Sequence, residues 1–283
     1  MLVTNAIPND TETVIAGMPT RQVKALALAL FLAAAASCQN AHADDAKHDG
    51  LWRGNGGAAF SDSYGNTQSS SLTITADATR QTQEDKLSLN GQYVGSRAQT
   101  TSNGVTSTST TANQWEARSR YDHNISEKNF DFGGLDFNRD QIQLLSLRTV
   151  VSGGLGRHVI KTDETQWDVL GGLSYRADRY SNPGVTINNQ ATMGFDTTEF
   201  LLGEESTNKL TESTTFKQHL MYRPNINRDK GYLVTFDSTL MVAINKTLSL
   251  RVSLQERFNS LAQAPIKKND TLFFTGINVK FGE

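Results

Sequence analysis

One cysteine stands in 283 residues, Cys38, and it lies in an N-terminal segment that reads as a leader. A chain released after that segment has no disulfide and no thiol chemistry. Past the leader there is no second long apolar run, which excludes helical membrane spans. Charge of one sign is also missing: 27 basic and 29 acidic residues are mixed throughout, for a net charge of −2. No basic stripe exists for nucleic acid to follow. Helical periodicity is scarce, and no metal-ligand spacing occurs.

What is present begins with export. Arg21 and Lys24 precede the apolar run Ala25-Leu26-Ala27-Leu28-Ala29-Leu30-Phe31-Leu32, and Ala41-His42-Ala43 precedes Asp44. A basic flank, a short apolar core and a small-x-small site compose a secretory signal peptide. The core is too short for the ~20 residues of a spanning helix. Residues 1–17 carry none of this character, so Met18 is the expected start and Asp44 the expected mature N-terminus. Lipidation of Cys38 is disfavoured because Ala35-Ala36-Ser37 precede it, with no Leu three back. The division expected is leader 1–43, lead-in 44–51 and one domain over 52–283.

That domain alternates. Strand side chains point to opposite faces with period two, so half-buried strands alternate apolar and polar. Leu72, Ile74, Ala76, Ala78 form one such face; Trp167, Val169, Gly171, Leu173, Tyr175 form another. Leu145, Leu147, Thr149, Val151 and Tyr232 through Ile244 give two more. The chain closes on Thr275, Ile277, Val279, Phe281 against Gly276, Asn278, Lys280. The segmentation predicts about twelve strands, near 52–60, 67–80, 86–97, 112–124, 129–138, 142–158, 166–178, 198–209, 214–225, 231–245, 248–259 and 271–282. The strand over 198–209 has no clear parity.

Connections sort by length. Every second one is tight and polar (81–85, 125–128, 161–165, 210–213, 245–247), whereas the alternate set includes every long one (98–111, 179–197, 260–270). Outer-membrane barrels have short periplasmic turns and longer external loops, with an even strand count. Aromatics sort as well. Trp167, Tyr121, Phe130 and Phe281 fall near one set of strand ends, and Trp115, Tyr93, Tyr175, Tyr222, Tyr232 and Phe258 near the other, as two aromatic girdles would.

A family resemblance adds to this reading. Trp52-Arg53-Gly54-Asn55-Gly56-Gly57, Gly65-Asn66-Thr67, Gly153-Gly154-Leu155-Gly156, Tyr222-Arg223-Pro224 and Leu248-Ser249-Leu250 occur in order. Phe258-Asn259-Ser260, Lys268-Asn269-Asp270-Thr271 and the closing strand follow. Together they resemble the salt-induced outer-membrane protein family of Gram-negative bacteria, a family of unknown function, over about Leu51 to Phe281. The resemblance implies a small outer-membrane barrel and a link to salt or osmotic stress. It carries over no catalytic, cofactor-binding or metal-binding residue. Gly276-x-x-Val279-x-Phe281 resembles the strand signal read by the barrel-assembly machinery, although Gly282-Glu283 follow the terminal aromatic.

The expected lumen face is charged, with acids Asp77, Glu116, Asp122, Asp131, Asp168, Asp178 and Asp237. Its bases are Arg118, Arg120, Arg148, Arg176, Lys217, Arg223, Arg251, Arg257 and Lys280. Either a paired interior or a polar conduit accounts for them, since charges removed from water must be paired. His48, His123, His158 and His219 are scattered, and none forms a hydrolytic dyad on one strand. Glu204 and Glu205 are neighbours on a strand and point apart, a poor cation site. Gly153-Gly154-Leu155-Gly156 lacks the Lys and helix of a phosphate loop and reads as close packing in a wall. Ala98–Thr111 reads as a solvated polar loop, and Arg179–Thr197 as a loop able to fold inward as a plug.

The expectation is therefore all-β: a single antiparallel transmembrane β-barrel of about twelve strands, both termini periplasmic. It is exported to the cell outer membrane, monomeric, not an enzyme and without cofactor. The partners expected are outer-membrane lipid and lipopolysaccharide, and the assembly machinery through Gly276, Val279 and Phe281; nucleic acid is not one. The role expected lies in the envelope under osmotic or salt stress. The alternatives are a narrow pore for small polar solutes, a barrel hydrolase, and a soluble periplasmic ligand-binding barrel.

Overall fold

A computed structural model describes residues 48–63, 67–102, 105–187, 189–226, 230–264 and 266–282. The expected leader, with Met18 and Cys38, lies outside the described residues, as do Gly65-Asn66 and Glu283. In chain order the strands are β1 (Trp52–Ser63), β2 (Thr67–Gln81), β3 (Asp85–Ser102), β4 (Val105–Asn124), β5 (Asn129–Asp140), β6 (Leu145–Lys161) and β7 (Thr165–Tyr180). There follow β8 (Val185–Ile187), β9 (Gln190–Thr192), β10 (Gly194–Thr211), β11 (Thr214–Pro224), β12 (Tyr232–Ala243), β13 (Leu248–Asn259) and β14 (Asn269–Phe281). Among the described residues no helix is long and apolar enough to cross a membrane.

Twelve of these strands form one closed antiparallel barrel, and β8–β9 is a separate small hairpin between β7 and β10. Closure is made by β1 against β14, with Gly54 opposite Phe281 and Ala58 opposite Ile277. A closed ladder leaves no unpaired edge, which a backbone surrounded by hydrocarbon requires. Strands of 11 or 12 residues such as β11 and β13 are long enough to cross a bilayer core when tilted, for which about 9–11 suffice.

The two faces invert the usual arrangement of a water-soluble protein. Leu72, Ile74, Leu173, Tyr175, Phe200, Phe273, Ile277 and Val279 point outward and are exposed. The fully buried side chains include Arg176, Glu199, Asp178, Asn278, Thr197 and Ser253. Apolar exposure on this scale marks a surface with a nonaqueous partner, and an outward apolar band with a polar interior is the pattern of a membrane barrel.

The chain ends and the turns at 82–84, 125–128, 162–164, 212–213 and 244–247 gather at one end, called here the near end. The strand ends that the longer connections join, Tyr180 with Gly194, Pro224 with Tyr232 and Asn259 with Asn269, lie at the far end, as the parity of loop lengths predicts. At the far end Tyr222 meets Tyr232 in a tilted pair and Tyr232 stacks on Phe258, across β11, β12 and β13, with centroids 5.6 Å apart in each step.

Four expectations need correction. Phe130 does not sit in an outward girdle: it points inward, 1% exposed, its ring lying over the face of Gly156. Asp131, its neighbour on β5, consequently points outward and is exposed. Leu145 also turns inward, 2% exposed, because register shifts between Asn138 and Asp140 and between Leu145 and Leu147 break the parity; a bulge reverses the face of what precedes it. Ala98–Thr111 is not a loop but the far end of the β3–β4 hairpin, with Ala98 opposite Ser109 and Ser102 opposite Val105. Thr is β-branched, and cross-strand Thr and Ser pairs stabilise a ribbon without an apolar core.

The unassigned strand resolves as β10. Phe200, Leu202 and Glu204 face out, whereas Glu199, Leu201 and Glu205 face in, paired with Ser174, Gly172 and Asp168. The glycine run is wall packing. Gly154 lies against Gly172 of β7 with no room for a Cβ on either.

Candidate functional site: the barrel lumen

Inward positions on each strand recur every second residue, so charges spaced by two in sequence stack up one wall. Glu116, Arg118, Arg120 and Asp122 on β4 do this. Arg118 donates to Glu116 at 2.8 Å and lies 3.7 Å from Asp237 of β12. Arg257 of β13 donates to Asp237 at 2.8 Å and approaches Glu116 at 3.8 Å. These two guanidinium groups and two carboxylates form a closed square. Strands β4 and β12 stand six places apart in the ring of twelve, so the Arg118–Asp237 pair reaches across the full barrel.

Further charged contacts join the lumen walls beside the square. Arg120 makes a bidentate pair with Glu205 of β10 and a second with Asp122, at 2.7 and 3.0 Å. His219 stands between Glu205 at 3.7 Å and Asp237 at 3.5 Å. Arg223 reaches Asp136 at 3.3 Å, and Arg251 reaches Asp77 at 3.2 Å. Bidentate guanidinium–carboxylate pairs fix geometry as well as charge. One wall is apolar instead: Phe130, Phe132, Leu170, Leu201 and Met221 pack together, and the Arg120 guanidinium lies 5.9 Å from the centre of the Phe132 ring.

Toward the far end a buried cluster joins β6, β7 and β10. Arg148 donates twice to Asp178 at 2.7 Å, and Arg176 lies 2.9 Å from Glu199. Ser174 donates to Glu199 at 3.1 Å, Tyr180 donates to Asp178 at 3.1 Å, and Arg176 stands over Phe195. Arg176, Asp178 and Glu199 are all but inaccessible. A low dielectric strengthens such pairs but makes each member costly to leave alone.

At the near end His158 Nδ1 lies 2.6 Å from Asp168, its Nε2 lies 3.2 Å from the Asn124 side-chain oxygen, and its ring stacks on Phe130 at 4.9 Å. The pair spans β6 and β7, out of reach of a search along one strand. Both ring nitrogens are occupied, by Asp168 and Asn124, which orients the imidazole between three strands. Glu204 and Glu205 separate as expected: Glu204 accepts from Trp167 Nε1 at 2.9 Å on the outer wall, and Glu205 joins the lumen network. Among the described residues no group of three His, Cys, Asp or Glu side chains could hold a metal ion.

Two cavities follow. One of about 350 Å³ lies on the near-end side, lined by Asp77, Lys86, Arg120, Lys217, Arg223 and Arg251 among others. The other, about 260 Å³, lies toward the far end and is lined by Asp140, Arg148, Lys267, Lys268 and Asp270. Gln92, Glu116 and Gln255 line both, so the Arg118–Asp237 square separates them. All nine bases expected on the lumen face do lie on inward-parity positions, and the acids do so apart from Asp131. The expected set lacked Asp136, Glu199, Glu205 and Lys86. Parity on β5 and β3 carried the signal for Asp136 and Lys86; β10 gave none until its partners fixed its phase.

Among solved structures the chain is similar to the translocator domain of autotransporter NalP from Neisseria meningitidis, at 12% identity and a TM-score of 0.44, covering 93% of this chain and 96% of that one. It is similar also to the NanC porin (9% identity, TM-score 0.42, 81% and 98% covered) and the KdgM porin (13%, 0.40, 81% and 99%). No curated protein matches the chain. Residues 56–281, nearly the whole barrel, match the family described as protein of unknown function, DUF481, and the chain belongs to that family.

Proposed function

We propose that this protein is a non-enzymatic outer-membrane barrel whose lumen is a narrow, ion-paired conduit for small polar solutes. The observation that carries the reading is the pair of polar cavities on either side of one charged square, Glu116, Arg118, Asp237 and Arg257. A lumen built only to fill space would have no need of two polar chambers in line. Twelve strands lie between the filled eight-stranded barrels and the open porins of sixteen or more. Width alone would permit water; the crossing side chains narrow it.

The outward apolar band and the aromatic row at the far end support residence in a membrane, and the leader-like N-terminus supports export to the outer one. In this reading the near end with its short turns faces the periplasm. The lipid partners are outer-membrane lipid and lipopolysaccharide, the C-terminal strand docks on the assembly machinery, and the barrel acts as a monomer. Regulated passage of small solutes is the physical form that a role in salt or osmotic adaptation would take.

Planar-bilayer recording of the purified barrel tests this. The expected record is small, discrete conductance steps that grow when Arg118 and Arg257 are both replaced by Gln. A silent bilayer with folded protein, in wild type and in the double variant, would sink the conduit.

A further inference from the structure

We infer that the near-end chamber is a binding site for small oxyanions, held by Lys86 of β3 and Lys217 of β11. The inference rests on the reading of the lumen as a solute compartment and names the solute class. Both lysines point inward and line the same cavity. Arg118, Arg120, Arg223, Arg251 and Arg257 each lie within 4.0 Å of a carboxylate oxygen. Among the described residues neither Lys86 nor Lys217 forms an ion pair, so these two ammonium groups are not used to hold the wall together. Lys217 is encircled by barrel yet open to the chamber. Lys86 and Arg251 are near enough to repel its charge, and the carboxylate near enough to attract it, Asp77, is already engaged by Arg251. Lys86 stands opposite Asp122 across β3 and β4, and Asp122 and Glu205 are both held by Arg120. Two cations whose nearest carboxylates are already engaged by arginines, in a confined polar space, attract an anion in place of a protein carboxylate.

Geometry lets both reach one ligand. Strands β3 and β11 stand six places apart in the ring, the separation that Arg118 and Asp237 bridge at 3.7 Å. Both lysines lie on the near-end side of that bridge. Lys86 precedes Asn90, the cross-strand partner of Arg118, and Lys217 precedes His219, the partner of Asp237. A lysine is a mobile point charge rather than a planar fork. Two of them facing each other suit a solute that binds and leaves, such as a phosphate or carboxylate in transit.

The test uses inorganic phosphate on the purified, detergent-solubilised barrel, with binding read from ³¹P line broadening and folding from heat-modifiable gel mobility. The wild-type barrel is expected to broaden the phosphate signal. Lys86→Gln with Lys217→Gln should weaken binding about tenfold or more, as loss of charge-assisted contacts does. Lys246→Gln, in a near-end turn, should leave it unchanged. Equal binding by the wild type and the folded double variant, or no binding by the wild type, overturns the site. Conductance separates this outcome from the conduit itself. Lysine-dependent binding in a silent barrel keeps the site and removes the conduit; conductance without such binding does the reverse.

Discussion

Glu199 has no exposed surface, and its carboxylate stands 2.9 Å from the guanidinium of Arg176, itself 2% exposed. Truncating one member of such a pair leaves a buried charge alone, which costs about 3–5 kcal/mol. Glu199→Ala should therefore lower the denaturation midpoint of the refolded barrel sharply, whereas Glu204→Ala, on the outer wall, should lower it far less. Unfolding in urea followed by gel mobility reads both. Outside the barrel wall, Asp49 accepts two hydrogen bonds from Arg53, at 2.8 and 2.5 Å, and one from the Leu51 amide. Those bonds hold its carboxyl well below the usual carboxylate range, Arg53 contributing most. A lowered folded-state value means the clasp is complete above the ordinary carboxylate range and is lost as pH falls through the lowered one. The Asp49 carboxyl resonance should accordingly stay in its ionised position at pH ~4, close to the ordinary carboxylate value, and a midpoint near that value would refute the clasp.

At the scale of elements, the insertion between β7 and β10 carries the β8–β9 hairpin, with Val185 opposite Thr192. It stands at the far end, where β7 and β10 also bring Arg176, Asp178 and Glu199 together. Replacing residues 182–192 with a short turn should raise single-channel conductance if the hairpin covers the mouth; an unchanged conductance would discount it as a plug. The closing strand makes a different claim. Phe281 lies over Gly54 where β14 meets β1, so its ring seals the seam near its end. Phe281→Ser should slow assembly into vesicles, measured as the rate at which the heat-modifiable form accumulates, with little change in the spectrum of the folded product. The extent of the strands was legible from alternation to within a few residues, except where Ser and Thr carried β3 and β4 farther. Polar composition marks solvent exposure, and an exposed ribbon satisfies that as well as a loop does.

For the whole molecule, charge and apolarity are turned inside out, and both were readable from period-two alternation alone. That pattern follows from the pleat of any strand, so it needs no tertiary information where the alternation is clean. The sequence by itself thus determined the class, the near-complete strand order, the sorting of loops to two ends and most of the inward charges. It left the pairing of those charges open, because an ion pair across the lumen joins residues distant along the chain, such as Arg120 with Glu205 and Arg223 with Asp136. Only closure into a ring of twelve decided which strand faces which. It set Arg118 against Asp237, divided the lumen into two chambers and left Lys86 and Lys217 outside the ion pairs of the described residues. A bulge decided Leu145, which a shift beside it turned inward, since one extra residue reverses a face; Phe130 and Asp131 were settled by the unbroken phase of β5, which only its partners fix.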